Sequence, residues 1–179
     1  MNSSADSHVR GDCALADRLR ARLAPSARAS VIVVDVDPTP TPVGDLDDAA
    51  IERLWEGPMQ SVIVALQEAH REGRDRIVVV VPTLGQSGGA SYAAQSALAE
   101  AARVLVKSAA RQWSDRSVNA VVLEPGEWGI DSTVSGPVSI APRARSGAVD
   151  PVPLIEWLSG SGAADVTGQT VVCDGGQWM

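Results

Sequence analysis

Several residue types on which enzymes and small domains rely are scarce in this sequence. There is no phenylalanine, Tyr92 and Lys107 are the only residues of their types, and Asn119 is the only asparagine apart from one near the N-terminus. Only two histidines are present, and Cys13 and Cys173 lie too far apart for metal-ligand spacing, which excludes a zinc site of the His/Cys type. The two cysteines are expected to be free thiols in a reducing cytoplasm.

Positive charge and long apolar runs are also scarce. The chain carries a net charge of −7 and a sequence pI near 4.7, which argues against nucleic acid and anionic membranes as partners because both require a basic face. No apolar run approaches the roughly 18 residues that a membrane-spanning helix needs, and residues 1–12 lack the apolar stretch of a secretory signal. We therefore expect a cytoplasmic protein that binds neither nucleic acid nor membrane.

The length of 179 residues and the apolar content of 45% suffice for one domain with a single core. The polar start of the chain predicts a disordered N-terminus over residues 1–11, followed by one folded domain over residues 12–179. Within that domain the hydrophobic periodicity alternates between strand and helix.

Apolar and β-branched runs predict four strands, over residues 30–36, 76–81, 117–123 and 169–173. Apolar residues at helical spacing predict helices over residues 12–23, 47–72, 91–113 and 151–159. In the second of these helices, Gly57-Pro58 predicts a turn or kink. Strands that alternate with helices are typical of an α/β fold with a mostly parallel sheet covered by helices on both faces.

Four blocks of sequence, in this order, resemble the short-chain dehydrogenase/reductase (SDR) family, and within it the 3-oxoacyl-carrier-protein reductase type. Residues 46–81 resemble the family's fourth helix and fifth strand, and residues 91–113 resemble the fifth helix, which normally carries a Tyr-x-x-x-Lys pair. The run SVNAVVLEPGEW resembles the sixth strand and its Pro-Gly turn, and the run ADVTGQTVVCDGG resembles the C-terminal strand. The resemblance implies a truncated Rossmann-like fold that is N-terminally shortened and degenerate.

The resemblance also implies an NAD(P) site, which the family builds from a Gly-rich turn between its first strand and first helix. The first 80 residues contain four glycines, never closer than thirteen apart, so no such turn can be drawn and no cofactor is expected. Residues 31–36, followed by Asp37-Pro38, best fit the family's fourth strand. In a looser alternative, residues 12–37 are a remnant of the first helix and second strand, and Asp35 or Asp37 lies near a ribose hydroxyl of NAD(P).

The SDR active site uses Asn, Ser, Tyr and Lys, and its lysine lowers the pKa of a tyrosine one helical turn away. Aligning the fifth helix on its VKSAARQW end puts Gln95 at the tyrosine position and Ala99 at the lysine position. Aligning it on Tyr92 puts Ser96 at the lysine position. Lys107 lies roughly 22 Å beyond Tyr92 along a helix rising about 1.5 Å per residue, so neither alignment gives a Tyr-Lys pair.

Two residues remain as candidates for catalysis. Thr83 ends the RIVVVVPT strand and could stand in for the serine, and Tyr92 begins the fifth helix close to the expected tyrosine. Asn119 matches a structural position of the family's sixth strand. No cofactor-binding residue and no metal ligand is assigned.

The parts of the family that the sequence retains are those through which SDR proteins commonly assemble. We therefore predict a non-catalytic partner subunit that pairs through helices 47–72 and 90–113, with itself or with a full-length SDR paralogue. The alternative is a residual NAD(P)-dependent oxidoreductase acting on a carbonyl or hydroxyl substrate. A shortened sheet is also expected to leave an exposed edge beside residues 30–36.

Overall fold

The computed structural model describes residues 8–135 and 149–176, which form one parallel β-sheet flanked by helices. The five strands lie side by side in their order along the sequence, and every neighbouring pair is parallel. They are β1 (Val9–Arg10), β2 (Ala29–Val33), β3 (Arg76–Pro82), β4 (Ser117–Leu123) and β5 (Thr170–Val172). The predicted α/β class with a parallel sheet is confirmed.

Six α-helices occur within the described residues. They are α1 (Ala14–Arg22), α2 (Asp48–Ile51), α3 (Gly57–Arg71), α4 (Leu84–Ser87), α5 (Ala93–Gln112) and α6 (Val152–Ser159). A π-helical turn, Glu52–Glu56, joins α2 to α3. Short 3₁₀ turns occupy Val43–Asp45, Pro125–Trp128, Ser132–Ser135 and Ser161–Ala163.

Helices cover both faces of the sheet, so β2 and β4 are buried at every position. On one face α3 and α5 pack against each other and against β2, β3 and β4. On the other face α6 packs against β2 and β3, and α1 lies beside the start of α6, with an Arg22–Asp150 ion pair at 2.7 Å. Each crossover moves the chain one strand in the same direction. Because α1 lies on the opposite face of the sheet from α3 and α5, the crossover through α1 has the opposite hand to theirs.

The strand order indicates how the sheet is shortened. The usual Rossmann order is 3-2-1-4-5-6. Leaving out its second and third strands gives 1-4-5-6, which corresponds to β1–β4 here, and β5 adds a fifth strand beside β4. β1 then occupies the first-strand position, α1 the first-helix position and β2 the fourth-strand position. The assignment of residues 31–36 to the fourth strand agrees with this order, whereas α1 lies where the looser alternative put the first helix.

Two expectations about the front of the chain need correction. Residues 8–11 form β1 and the turn after it, so they do not belong to a disordered N-terminus over residues 1–11; residues 1–7 lie outside the described residues. The edge of the sheet is β1 and not the segment 30–36, because Val9 pairs with Val31 and the next residue continues the ladder. Sequence patterns miss a strand of two residues because it is too short to show a period.

The guanidinium of Arg20 covers the outward backbone of this edge strand. The carbonyl of His8 faces β2, where it accepts the N–H of Val31 at 2.6 Å, so the next carbonyl, that of Val9, faces away from the sheet. Arg20 Nε donates to Val9 O at 3.2 Å, and its Nη2 donates to Gly11 O. A charged side chain along an edge strand disfavours pairing with a strand of another chain.

At Gly57-Pro58, where the sequence predicts a turn or kink, the chain stays helical and a π-helical turn directly precedes the pair. The N–H of Gly57 bonds to the carbonyl of Glu52, five residues back, which marks a π-helical turn. Such a turn accommodates Pro58, which has no N–H to donate within the helix. A Cβ on Gly57 would lie 3.1 Å from the Glu52 carbonyl, so the glycine suits this widened turn. Residues 48–71 therefore form one continuous helical segment.

Candidate functional site

The C-terminal ends of parallel strands form the edge at which Rossmann-type sheets bind their ligands. Three segments meet at this edge: the turn 11–13 after β1, the extended segment 34–41 after β2, and the segment 83–92 between β3 and α5. Both candidate residues from the sequence, Thr83 and Tyr92, belong to the third segment. Their contacts decide what this edge can do chemically.

Tyr92 lies at the N-cap position of α5 and is 7% exposed. Its hydroxyl donates a hydrogen bond to the backbone carbonyl of Pro38 at 3.2 Å. Beside it, the N–H of Thr41 donates to the carbonyl of Ser91 at 2.6 Å. The phenol thus helps to fasten the segment after β2 to the start of α5.

Gln95, one turn further along α5, fastens the same segment. It is fully buried, and its Nε2 donates to the carbonyl of Asp37 at 3.2 Å and to that of Thr39 at 2.9 Å. Gln95 is the only polar side chain among the buried residues of α5. At the position aligned with the family's tyrosine, the chain therefore has an amide that binds backbone.

Ala99, at the position aligned with the family's lysine, has no room for a longer side chain. It is fully buried, and a Cβ on Gly85 would lie 3.1 Å from the Ala99 Cβ and 2.8 Å from the backbone nitrogen of Glu100. The small residues at both positions let α4 pack closely against α5. Lys107, the only lysine, is exposed near the other end of α5.

Thr83 follows the last residue of β3, at the N-cap position of α4, and is fully buried. Its N–H donates to the carbonyl of Leu123 at 2.8 Å, and its own carbonyl accepts the N–H groups of Gln86 and Ser87, the last two residues of α4. Within residues 8–135 and 149–176, its Oγ1 has no hydrogen-bond partner, and the same holds for Gln95 Oε1. Among the described residues, no hydrogen bond joins Thr83 to Tyr92.

The beginning of α1 occupies the position at which a Rossmann fold binds the pyrophosphate, and here a carboxylate of the chain itself lies close to it. The backbone N–H of Asp12 donates to both oxygens of Asp35, at 3.0 and 3.2 Å. Gly11, just before, has a φ of +130°, and a Cβ there would lie 2.8 Å from the carbonyl of Val33. This glycine therefore permits close packing of the turn against β2.

Burial raises the pKa of the Asp35 carboxyl, and the negative charge of Asp12 adds to this effect; hydrogen bonds from the Asp12 N–H and the Cys13 thiol act in the opposite direction. Burial also raises the pKa of the Cys13 thiol, with a further contribution from the charge of Asp35. A pyrophosphate would bring additional negative charge beside two carboxylates and a protonated thiol. The residues at this end of α1 therefore do not fit an NAD(P) pyrophosphate.

Asp37, the other acidic residue of the looser alternative, is also engaged within the chain. Its carboxylate pairs with Arg53 at 2.5 Å and accepts the N–H of Thr39 at 2.8 Å. These bonds outweigh partial burial and hold the pKa of Asp37 below its usual range. Neither aspartate is left with an arrangement suited to a ribose hydroxyl.

Sequence reasoning missed the roles of Gln95 and Asp35. A signal for Gln95 was available, since it is the one polar residue on an apolar helix stripe, and buried polar groups are hydrogen-bonded. Asp35 gave no comparable signal, because its partner, the Asp12 backbone, is 23 residues away in sequence.

Within the described residues, no helix is long and apolar enough to cross a membrane, and no three His, Cys, Asp or Glu side chains group as metal ligands.

Comparison with known proteins gives a match at the level of structure only. No family model matches the sequence, and no curated protein matches it. Among solved structures, a short-chain dehydrogenase/reductase from Serratia marcescens is 22% identical, with a TM-score of 0.63 over 85% of this chain and 67% of its own. An SDR glucose/ribitol dehydrogenase from Brucella melitensis is 17% identical, with a TM-score of 0.60 over 84% of this chain and 65% of its own.

A third similar structure is a 4-hydroxyisoleucine dehydrogenase complexed with NADH and succinate, 21% identical, with a TM-score of 0.59 over 84% of this chain and 69% of its own. The chain thus spans about two thirds of the length of the solved structures it matches. At these identities the likeness establishes the fold. The chain has a shortened SDR-type Rossmann fold.

Proposed function

We propose that this SDR-fold chain is a non-catalytic partner subunit, which pairs through residues 47–72 and 90–113 with itself or with a full-length SDR-fold chain. The observation that carries the proposal is the use of Tyr92 and Gln95 to fasten segment 37–39 across the C-terminal edge of the sheet. Both side chains donate their hydrogen bonds to backbone carbonyls at the place where an SDR enzyme holds its substrate oxygen.

The chemistry of carbonyl reduction supports this reading. The reaction needs a hydride donor and a proton donor whose pKa is tuned by a nearby positive charge. The residue one turn after Tyr92 is Ser96, and the residue one turn after Gln95 is Ala99. Asp35 accepts the Asp12 N–H just before the beginning of α1, where the hydride-carrying nucleotide would bind. The alternative of a residual NAD(P)-dependent oxidoreductase rests on the fold, Thr83 and Tyr92 alone.

The outer face of α3 and α5 supports a role in assembly. Large apolar side chains protrude there: Ile63 is 38% exposed and Val104 is 52% exposed, and Trp55 on the π-helical turn is 38% exposed. Exposed apolar groups on neighbouring helices are typical of a surface that a partner covers. The free thiols of Cys13 and Cys173 suit a reducing compartment, and we place the assembly in the cytoplasm.

Light scattering after size exclusion tests the assembly, on the chain alone and mixed with a co-encoded full-length SDR chain. We expect a dimer or a mixed complex, which Ile63→Arg and Val104→Arg abolish because each puts a charge into the centre of the contact. Val172→Arg, a substitution of the same type at a 40% exposed site on β5, is the matched control. A monomer that ignores the second chain contradicts the proposal.

Fluorescence titration with NADH and NADPH tests the non-catalytic part. We expect no saturable binding in the micromolar range and no carbonyl reduction by the purified chain, because the nucleotide site holds carboxylates in place of a glycine turn. Saturable binding together with turnover would instead establish the oxidoreductase alternative.

A further inference from the structure

A cavity of about 260 Å³ lies at the N-terminal edge of the sheet, opposite the edge that holds the candidate functional site. It opens between the end of α1, the end of α6 and the residues just before β1 and β2. Leu23, Pro25 and Val31 form its apolar side. The proposed assembly surface includes none of the residues that line this cavity, so the cavity calls for an explanation of its own.

Two of the polar side chains that line the cavity have no hydrogen-bond partner in the described part of the chain. The Oγ of Ser159, the last residue of α6, is buried and unpaired. His8 is 8% exposed, and its imidazole makes no hydrogen bond to another described residue. The hydroxyl of Ser26, in contrast, already accepts the N–H groups of Arg28 and Ala29. Because buried polar groups are almost always hydrogen-bonded, Ser159 and His8 indicate a site that a bound molecule completes.

The imidazole of His8 is uncharged at neutral pH. Burial lowers the pKa of His8, and the positive charge of Arg74 adds to this effect, so the ring keeps one unprotonated nitrogen that can accept a hydrogen bond. Arg74 itself is engaged elsewhere. Its Nε donates to Glu72 at 3.0 Å, and its Nη1 donates to the carbonyl of Ser26 at 3.0 Å.

Glu156 is the one charged residue among the described residues that line the cavity at neutral pH. Its carboxylate is exposed and forms no salt bridge with any residue in the ranges 8–135 and 149–176. Arg22 senses the charge of Glu156, but its guanidinium pairs with Asp150 at 2.7 Å. A cavity whose lining carries one unpaired carboxylate favours a cationic ligand over an anionic one.

The polar lining matches the donors of a primary ammonium group. Such a group has three N–H donors and no acceptor. The cavity offers three acceptors that nothing else uses, which are the carboxylate of Glu156, the Oγ of Ser159 and the unprotonated ring nitrogen of His8. A carboxylate ligand would instead face Glu156 with like charge.

The volume of the cavity limits the size of the ligand. A water molecule takes about 30 Å³ in the liquid, so a cavity of about 260 Å³ has room for roughly eight or nine non-hydrogen atoms. The apolar side chains opposite the acceptors suit a hydrocarbon body, because small-molecule sites combine an apolar lining with a few polar groups that fix orientation.

We infer that this cavity binds a small primary amine in its ammonium form, with an apolar body about the size of a benzene ring. Glu156, Ser159 and His8 accept the three N–H donors, and Leu23 and Val31 contact the body. The site lies outside the proposed assembly surface and the former catalytic edge, so the inference goes beyond the proposed function and does not depend on it.

Benzylamine is the probe, because it combines one ammonium group with a body of the required size. NMR titration of the full chain follows the ring resonances of His8, with His70, the only other histidine, as the internal control. We expect a saturable shift at His8 with a Kd of about 0.1–1 mM, typical of so small a ligand, and no shift at His70. Benzyl alcohol, of the same size but uncharged, should bind about fivefold more weakly, and benzoate more weakly still.

Two substitutions place the ligand in the cavity. Glu156→Gln keeps the shape and removes the charge, so it should weaken benzylamine binding about fivefold and leave benzyl alcohol binding unchanged. Ser159→Leu fills the cavity and removes the hydroxyl, so it should abolish the binding of both. Ser161→Leu, the same substitution at an exposed position two residues later, is the matched control and should leave binding unchanged.

The possible outcomes are distinct. No saturable shift at His8 with benzylamine on the order of 10 mM, well above the expected Kd, overturns the inference. Equal binding of benzylamine, benzyl alcohol and benzoate overturns the ammonium specificity, and so does a Glu156→Gln variant that binds benzylamine as the wild type does. Binding that Ser159→Leu leaves intact places the amine outside this cavity and also overturns the inference. None of these results depends on whether the chain assembles with a partner.

Discussion

The hydrogen bonds of Gln95 offer a direct measure of how tightly segment 37–39 is held at the C-terminal edge of the sheet. Gln95→Leu keeps the volume of the buried side chain and removes the two donations to the carbonyls of Asp37 and Thr39. A typical intramolecular hydrogen bond contributes about 0.5–1.5 kcal/mol net, so we expect a loss of about 2 kcal/mol in the free energy of unfolding. For a chain of this size that corresponds to a Tm lower by roughly 4–8 °C.

Urea unfolding gives the free energy, and amide hydrogen exchange gives the location of the effect. The N–H of Thr41, bonded to Ser91 O at 2.6 Å, should exchange faster in Gln95→Leu, whereas the N–H of Ala120 in the sheet should not. Tyr92→Phe removes the third fastening bond, and because it holds the same segment, its cost combined with Gln95→Leu should be non-additive. Gln67→Leu, at an exposed position on α3, serves as the control and should change stability by less than about 0.5 kcal/mol.

The reasoning is refuted if Gln95→Leu unfolds at the same urea concentration as Gln67→Leu and leaves exchange at Thr41 unchanged. In that case the segment after β2 is held by its own turns and the polar residues of α5 contribute nothing to its position. Segment 37–39 would then be free to move away from Tyr92 and Gln95, which would contradict the non-catalytic proposal.

Three further predictions concern the sheet and the turn before α1. Asp35→Asn should raise the free energy of unfolding at pH 7. Because burial raises the folded-state pKa of Asp35, the contribution of this carboxyl to stability is present below the unfolded pKa and lost as the pH rises through the folded value. The stability gained by Asp35→Asn should therefore shrink towards pH 4 in urea titrations, with the exposed Asp165→Asn as the control. Gly11→Ala should lower the free energy of unfolding by about 2–4 kcal/mol, since it combines positive-φ strain with a Cβ contact at 2.8 Å to the Val33 carbonyl oxygen. Gly73→Ala, at a φ of +72° in open space, should lower it by only about 1–2 kcal/mol in the same assay. Asn119→Ala should lower the free energy of unfolding by about 2–4 kcal/mol and speed the exchange of the Ala120 N–H. The reason is that the buried Asn119 amide bonds to Ser117, Val166 and Gln169 and so connects β4 to β5. Unchanged exchange at Ala120 would contradict this role.

The central strands and long helices could be predicted from the sequence because burial leaves a pattern in it. β4 runs from Ser117 to Leu123 as predicted, since all its positions are buried and the run is apolar except at Ser117 and Asn119. Helix α5 begins and ends within two residues of the prediction, because its alanine-rich stripe has a clear helical period. A single tyrosine and a single lysine were likewise enough to predict that no Tyr-Lys pair exists.

The remaining features depend on contacts that no local pattern records. The helix through Gly57-Pro58 continues because a π-helical turn moves the hydrogen bond of Gly57 to Glu52, and nothing in the adjacent sequence distinguishes this from a break. Strand β1 has only two residues and exists because β2 offers it a pairing edge. The closure of the candidate site depends on backbone carbonyls of segment 37–39, which have no side-chain signature.

The shortened sheet presents two surfaces at which another chain could bind, and the protein protects only one of them. At the β1 edge, Arg20 occupies the outward carbonyls and Arg10 pairs with Glu68 at 2.6 Å, so an added strand would have to displace charged groups that are already bonded. On the outer surface of α3 and α5, Ile63 and Val104 remain exposed, although polar residues there would cost an exposed helix surface almost nothing. A chain under pressure to stay monomeric would be expected to protect both surfaces. This difference favours the proposed packing of another chain against α3 and α5 over the addition of a strand at β1.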